Sequence, residues 1–457
     1  MTVVEAANLL LPEGWASPGH VIADEGGTII ATGAGRHPDA DVSLDGYVVG
    51  GMANLHSHAH HRGLVGHSDR LQPGQAGTLW SWRKVMYRHL LELTPEDLEA
   101  YATLAYVEML RRGFTSVGEF HYIHRDPDGN PYARPAELSE RIVAAANSAG
   151  IALTILPAFY TSGGVGRASE PDQRRFVMGL DEFLALVAQL EELAVGDPLL
   201  EVGVAPHSLR AVAPDQLRAL LEARPAGPVH IHAAERLEEV EEVEAGLGAR
   251  PVQWLLDEVG LDPRWCVIHA THMTAAENLG LARSGAVAGL CPLTEANLAD
   301  GRFELAEYRG GGGAFGVGTD ANHLIDLPGE LRTLEYGQRL AVRRRETLLQ
   351  GEETSVGATL HRLACEGGAK ALRQPTAAVE PGARCDLVEL DPANCALAGQ
   401  VPETVLDAWV FSSASDRVVR TVIVGGRVVV SDGSHPGERA ARERVDAVMR
   451  ARHGVSR

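Results

Sequence analysis

The sequence predicts an α/β protein: a (β/α)8 TIM-type barrel joined to a small β-sandwich domain built from both chain ends. Three observations carry that expectation. Eight short apolar segments alternate with longer amphipathic ones over about 320 residues. Glycine-punctuated, β-branched pieces occur near both termini, as if one small domain were assembled from the two ends. No GxGxxG follows the first internal strand, which disfavours a doubly wound sheet.

In chain order, HVIADEGG, TIIATGAG and VSLDGYVVG read as strands within residues 20–50. Barrel strands are expected near Val48–Asn54, Thr115–Phe120, Ile151–Ala158, Glu201–Ala205, Val229–His232, Val267–His269, Val287–Leu290 and Ala314–Thr319. Between them, Thr94–Arg112, opened by Thr-Pro-Glu-Asp, and Glu235–Val259 suit amphipathic helices. CDLVELD (385–391) and TVIVGGRVVV (421–430) return to the strand pattern, the second with a Gly-Gly hairpin. Gly437–His453 is charged and helical in pattern. The expected units are a small β domain from 1–48 and 376–435, a barrel over 49–375, and a helical tail over 436–457.

Composition narrows the function. The 457 residues include 41 Lys plus Arg against 61 Asp plus Glu, a formal charge of −20. So acidic a surface argues against nucleic acid or an anionic membrane as a partner, though not against an anionic small molecule in a pocket. No apolar run reaches the roughly 18 residues of a membrane helix. Residues 1–30 lack the pattern of a signal peptide. Five cysteines without a CxxC favour a reducing cytoplasm over a disulfide framework.

Barrel enzymes place their chemistry at the C-terminal ends of the strands. The first strand ends in Asn54-Leu55-His56-Ser57-His58, and alternation turns His56 and His58 to the same side. The bland alternative is two loop histidines bonded to backbone. His232, His269 and Asp320 end the fifth, sixth and eighth strands. Imidazoles plus a carboxylate suit Zn2+ or Fe2+ with one position left for water. The chain has only Lys84 and Lys370, neither on the fourth strand to bridge two ions, so one metal is expected. Glu235 follows His232 by three residues, placed to shuttle protons at a metal-activated water, or simply to favour a helix N-terminus. Glu238, Glu239, Glu241, Glu242 and Glu244 read as a solvated helix face.

These segments resemble the amidohydrolase superfamily in its deaminase branch. GGMANLHSHAHHRG, WSWRKVMYR, FTSVGEFHYIHRDPDGNPYA, APHSLRAV, VHIHAAE, WCVIHATH, GLCPLTEANLADG and DLPGELRTLEYGQRL together are similar to the formimidoylglutamate deiminase family over about residues 45–345. The resemblance implies a zinc enzyme of histidine degradation that hydrolyses N-formimino-L-glutamate to N-formyl-L-glutamate and ammonia. By resemblance, His56, His58, His232 and Asp320 match the metal ligands. Glu235 and His269 match proton-transfer residues, with Asp320 assisting. Arg83, Tyr122, His207 and Arg210 match positions that hold the glutamyl part, and guanidinium groups suit its two carboxylates. The chain departs from the pattern at His60, at His61 (where one hydrogen bond to substrate is still expected), and at Ala321-Asn322. A cytoplasmic homodimer acting on a carboxylate-bearing small molecule is expected. Two rivals stand beside this reading. One is deamination of a heterocycle such as guanine, disfavoured by only 5% aromatic residues. The other is a metal-dependent binding protein, which would have no use for Glu235.

Overall fold

The computed structural model describes residues 1–67, 79–345, 347–413 and 417–453; residues 454–457 of the expected tail lie outside them. The N-terminal strands are β1 (Thr2–Leu11), β2 (Gly14–Ala16), β3 (Gly19–Ala23), β4 (Ile29–Ala34) and β5 (Val42–Gly50). β1 buries Val4 and Ala6, then Leu9 and Leu11. The parity changes at a register shift against β5 between Ala6 and Asn8, because one extra residue flips the following side chains to the other face.

The barrel follows with β6 (Met52–Ser57), β7 (Phe114–His121), β8 (Ala152–Phe159), β9 (Leu200–Val202), β10 (Ala205–Pro206), β11 (Val229–Ala233), β12 (Trp265–His269), β13 (Val287–Leu290) and β14 (Ala314–Val317). They fill eight strand positions, since β9 and β10 are two pieces of the expected fourth strand, both paired with β8. Neighbouring strands pair in parallel within β6–β7–β8 and β11–β12–β13–β14. Bridges Val204–Val229 and Ser57–Asp320 join the two arcs. Every residue of β7 and β8 is buried, as expected for parallel strands covered on both faces.

The C-terminal strands β15 (Leu387–Leu390), β16 (Val419–Val424) and β17 (Arg427–Val430) complete an eight-stranded sheet in the order β17-β16-β15-β5-β1-β3-β4, with β2 paired to β1. Its β4 end returns to the residues before β15 through Ile29 N–H to Ala383 O and Cys385 N–H to Gly27 O, so the sheet bends around its own core. Val4, Leu9, Val21, Val48 and Leu387 belong to that core, separate from the barrel's. The β16–β17 turn is the predicted Gly425-Gly426 pair, both at positive φ (54° and 76°), as a tight hairpin requires.

Two boundaries and one element differ from the sequence reading. Val48–Gly50 belong to the terminal sheet, and the barrel begins at Met52. Gly51 makes the transition, where a Cβ would lie 2.3 Å from the Thr115 side chain. The expected helix Glu235–Val259 starts at Leu237, ends at Leu247 and restarts at Pro251, whose missing N–H suits a first helical position. Residues 376–435 also contain a helix, Val405–Ser412, which packs on the barrel helices Leu327–Val342 and Val356–Leu372.

Thr94 caps Pro95–Arg111 as its sequence predicts: Thr94 Oγ1 accepts the Asp97 N–H, and the Asp97 carboxylate accepts the Thr94 N–H. The C-terminal helix Glu438–His453 lies on that helix, held by Arg111–Glu438 at 2.8 Å and Arg452–Asp97 at 2.9 Å. All five cysteines are unpaired. Among the described residues, no helix is long and apolar enough to cross a membrane.

Candidate metal centre and substrate pocket

Strand ends β6, β11, β12 and β14 deliver His56, His58, His232, His269 and Asp320 to one mouth. His56 Nε2 lies 3.4 Å and His58 Nε2 3.3 Å from Asp320 Oδ1, and His232 Nε2 lies 3.2 Å from His56 Nε2. Main-chain bonds lock the loop that carries the aspartate, since Asp320 N–H donates to His56 O and His58 N–H donates to Asp320 O. Ala234, His269, Ala270 and Asp320 all adopt positive φ just at or after their strand ends. Non-glycine residues rarely adopt that conformation, and several side by side mark a strained, functional rim.

The donor set fits a cation. His58 Nδ1 faces Phe120 O at 2.8 Å and His232 Nδ1 faces His207 O at 3.0 Å, so both Nδ1 atoms carry the proton. Their Nε2 atoms are therefore lone pairs. Burial lowers the pKa of His56, His58 and His232, keeping the imidazoles neutral. Acceptors brought this close need a positive charge between them. His56, His58 and Asp320 form one group of ligand atoms within 4.8 Å of one another, and His56, His232 and His269 form a second. His269 thus comes as near as the four residues expected to bind metal.

His269 stands between two carboxylates. Its Nδ1 is 3.2 Å from Glu295 Oε1 and its Nε2 is 4.0 Å from Glu235 Oε1. Burial opposes a charge on His269, but Glu235, Glu295 and Asp320 outweigh it and carry the pKa up to about 10. Glu235 lies one residue before the helix N-cap, Arg236, and lines the pocket. Its backbone N–H donates to Glu239 at 2.9 Å. Glu239 is therefore not on a solvated face: it is 5% exposed, and its pKa is raised by burial. A helical pattern of glutamates does not reveal that one of them folds back to satisfy the loop behind the site.

His61, Arg83, Tyr122, His207 and Arg210 line the same cavity as Glu235, His269 and Asp320. His61 Nε2 is 2.6 Å from the Tyr122 hydroxyl, so the two act as a pair. His207 links the two ends of the cavity, with its ring on the pocket and its carbonyl on His232. Burial works against the charge of Arg210, yet Glu239 and Glu235 outweigh it and raise its pKa. Arg83 Nε donates to the Tyr87 hydroxyl at 2.6 Å.

Several contributors were not found from sequence. Glu295 sits inside the quoted GLCPLTEANLADG segment but carried no signal of its own. Trp82, Tyr87, Tyr160 and Phe176 give the pocket an aromatic lining that a 5% overall content did not suggest. Asn322, a departure from the family pattern, supports the aspartate loop. Its Nδ2 donates to Asp320 O and to Ser57 Oγ, and its Oδ1 accepts from Thr319 Oγ1 at 2.6 Å. Asn54 completes the network through Thr319.

A strand-end cluster of this kind on such a barrel suits a hydrolase with a candidate metal centre, and the chain belongs to the amidohydrolase family, whose model matches residues 47–429. It is 44% identical to the formimidoylglutamate deiminase of Pseudomonas aeruginosa, over 97% of this chain and 98% of that one. A crystal structure of an amidohydrolase from Brucella melitensis matches with a TM-score of 0.92 at 43% identity, covering 98% of this chain and 99% of the other. A 5-methylthioadenosine/S-adenosylhomocysteine deaminase of Natronomonas pharaonis is 30% identical over 94% of this chain and 92% of its own.

Proposed function

We propose that this chain is a formimidoylglutamate deiminase, converting N-formimino-L-glutamate and water to N-formyl-L-glutamate and ammonia in histidine degradation. The observation that carries the reading is the coexistence, at one barrel mouth, of a cluster of imidazoles and a carboxylate with Arg83 and Arg210. The first suits metal-assisted hydrolysis, and the second suits a substrate bearing two carboxylates. The 44% identity along nearly the whole chain supports the same substrate.

His56, His58, His232 and Asp320 would hold one Zn2+, with Fe2+ as the alternative on the same donors. When bound, such an ion supplies Lewis acidity and a water that ionises near neutral pH. Arg83, Arg210, Tyr122, His207 and His61 hold the glutamyl part and aim the formimino carbon at the strand ends. Glu235, with His269 beside it, takes the two protons that the attacking water gives up in turn and passes them to the departing nitrogen. Asp320 orients that water, and ammonia leaves as the C–N bond breaks. The enzyme acts in the cytoplasm as a homodimer on a free small molecule.

The aromatic lining and the 30% identical relative favour one alternative, deamination of a heterocycle. Ammonia release from formiminoglutamate, formiminoaspartate, guanine and S-adenosylhomocysteine, with metal content measured on the same sample, separates the two. Formiminoglutamate is expected to be fastest with one metal per chain. Release from purines alone would reassign the substrate, and two metals per active chain would sink the mononuclear centre.

A further inference from the structure

Gln173 is fully buried in the loop after β8, yet it reaches two tyrosines of the pocket. Its amide orientation is fixed, because Oε1 accepts the Glu170 N–H at 2.7 Å. Nε2 therefore faces the tyrosines, 2.8 Å from the Tyr160 hydroxyl and 3.4 Å from that of Tyr87. An amide nitrogen only donates, so both phenol oxygens are acceptors of these bonds. Tyr87 also accepts from Arg83 Nε at 2.6 Å. Each hydroxyl keeps its own proton, and among the described residues no hydrogen bond takes either one. Both side chains line the cavity beside Arg210 and Trp82, whose buried Nε and Nε1 have no hydrogen-bond partner among the described residues.

We infer that Gln173 is a positioning residue, turning the O–H groups of Tyr87 and Tyr160 toward a carboxylate of the substrate. The inference rests on the dicarboxylate reading proposed above and extends it to three residues that the resemblance did not supply. Arginine alone fixes a charge. Two phenol donors held by one amide fix where the carboxylate oxygens sit, and so set the spacing between the carboxylate and the reacting carbon. An amidine without carboxylates has nothing to place there.

The test compares the metal-loaded parent with Gln173→Met, Tyr160→Phe and their double variant. Methionine keeps the length of glutamine and removes the donor. Phenylalanine keeps the ring. Each single change should raise KM for formiminoglutamate roughly 10-fold while kcat moves less than about 3-fold. Because Gln173 acts through Tyr160, the double variant should raise KM by clearly less than the product of the single effects. Turnover of formamidine, which lacks carboxylates, should be unchanged in all of them. An unaltered KM, fully multiplicative effects, or equal damage with formamidine would each overturn the inference. If Gln173→Met does not fold, Tyr87→Phe and Tyr160→Phe carry the same expectation for KM and for formamidine. A parent that releases no ammonia from formiminoglutamate would instead overturn the proposed substrate. Calorimetric binding of glutarate to parent and Tyr160→Phe would then decide the role of the tyrosines, with equal affinities refuting it.

Discussion

At one end of the pocket His58, His232 and Asp320 turn lone pairs toward one another beside His56, whereas at the other Arg83, Arg210, Trp82, Tyr87 and Tyr160 offer N–H and O–H groups. The acceptor end stands on strand ends, with His58 and His232 locked by carbonyls and its aspartate by main-chain bonds. The donor end stands on a helix and on loops: Trp82, Arg83 and Tyr87 on Leu79–Leu91, Tyr160 just past β8, and Arg210 past β10. The difference separates two tasks. Reaction chemistry needs atoms held within fractions of an ångström, which a barrel rim supplies. Substrate choice needs variety, which loops supply without moving the strands.

The contrast can be broken most severely at the acceptor end. Asp320→Asn keeps the shape and the tolerance for positive φ but removes the anion. Metal occupancy and ammonia release should both fall by more than the roughly 10- to 100-fold typical of outer-shell changes. Full occupancy with normal turnover would remove Asp320 from the centre. Glu235→Gln tests the proton path while sparing the donor set. Metal content should persist while kcat drops roughly 10²-fold or more, and near-normal turnover would reduce Glu235 to a pocket wall.

At the donor end, Arg210→Met preserves length and removes charge. Losing a charge-assisted contact in a partly dry pocket costs on the order of 2–4 kcal/mol, about 30- to 1,000-fold in kcat/KM for formiminoglutamate, with metal content unchanged from the parent. An unchanged value would put the carboxylate elsewhere.

A separate effect, on stability and not on turnover, lies under the acceptor end. Glu119, on β7, accepts the Ala59 N–H at 2.7 Å, and burial pushes its pKa up to about 8 from an ordinary 4.5. Between those values the folded chain holds a proton that the unfolded chain has lost. Stability therefore falls as pH rises from about 4.5 through about 8, with a slope of up to about 1.4 kcal/mol per pH unit. Glu119→Gln retains the bond to Ala59 and should flatten that slope in urea unfolding of metal-free protein between pH 5 and 8. Parallel curves for parent and variant would show that Glu119 is ionised in the fold.

Particular residues show how far the sequence reaches. Thr94-Pro-Glu-Asp specified its helix start and Gly425-Gly426 specified its hairpin, because both signals act within four residues and need no partner elsewhere. The acceptor end was equally legible, since a histidine or aspartate closing an apolar strand stands out against a background that packing would otherwise fill. Arg83, Tyr122, His207 and Arg210 were reached only by resemblance, as nothing in their local pattern separates them from other arginines and aromatics.

Tertiary structure decided what depends on approach between distant segments. The chain itself determined a parallel barrel with metal-type residues at its strand ends, through periodicity that backbone geometry enforces locally. It could not determine that Glu239 turns inward to Glu235, that Glu295 faces His269, or that Gln173 spans to Tyr87 86 residues away. Those contacts arise because buried polar groups must find partners wherever the packed chain brings them. The partner is chosen by distance in space, a quantity that spacing along the sequence does not contain.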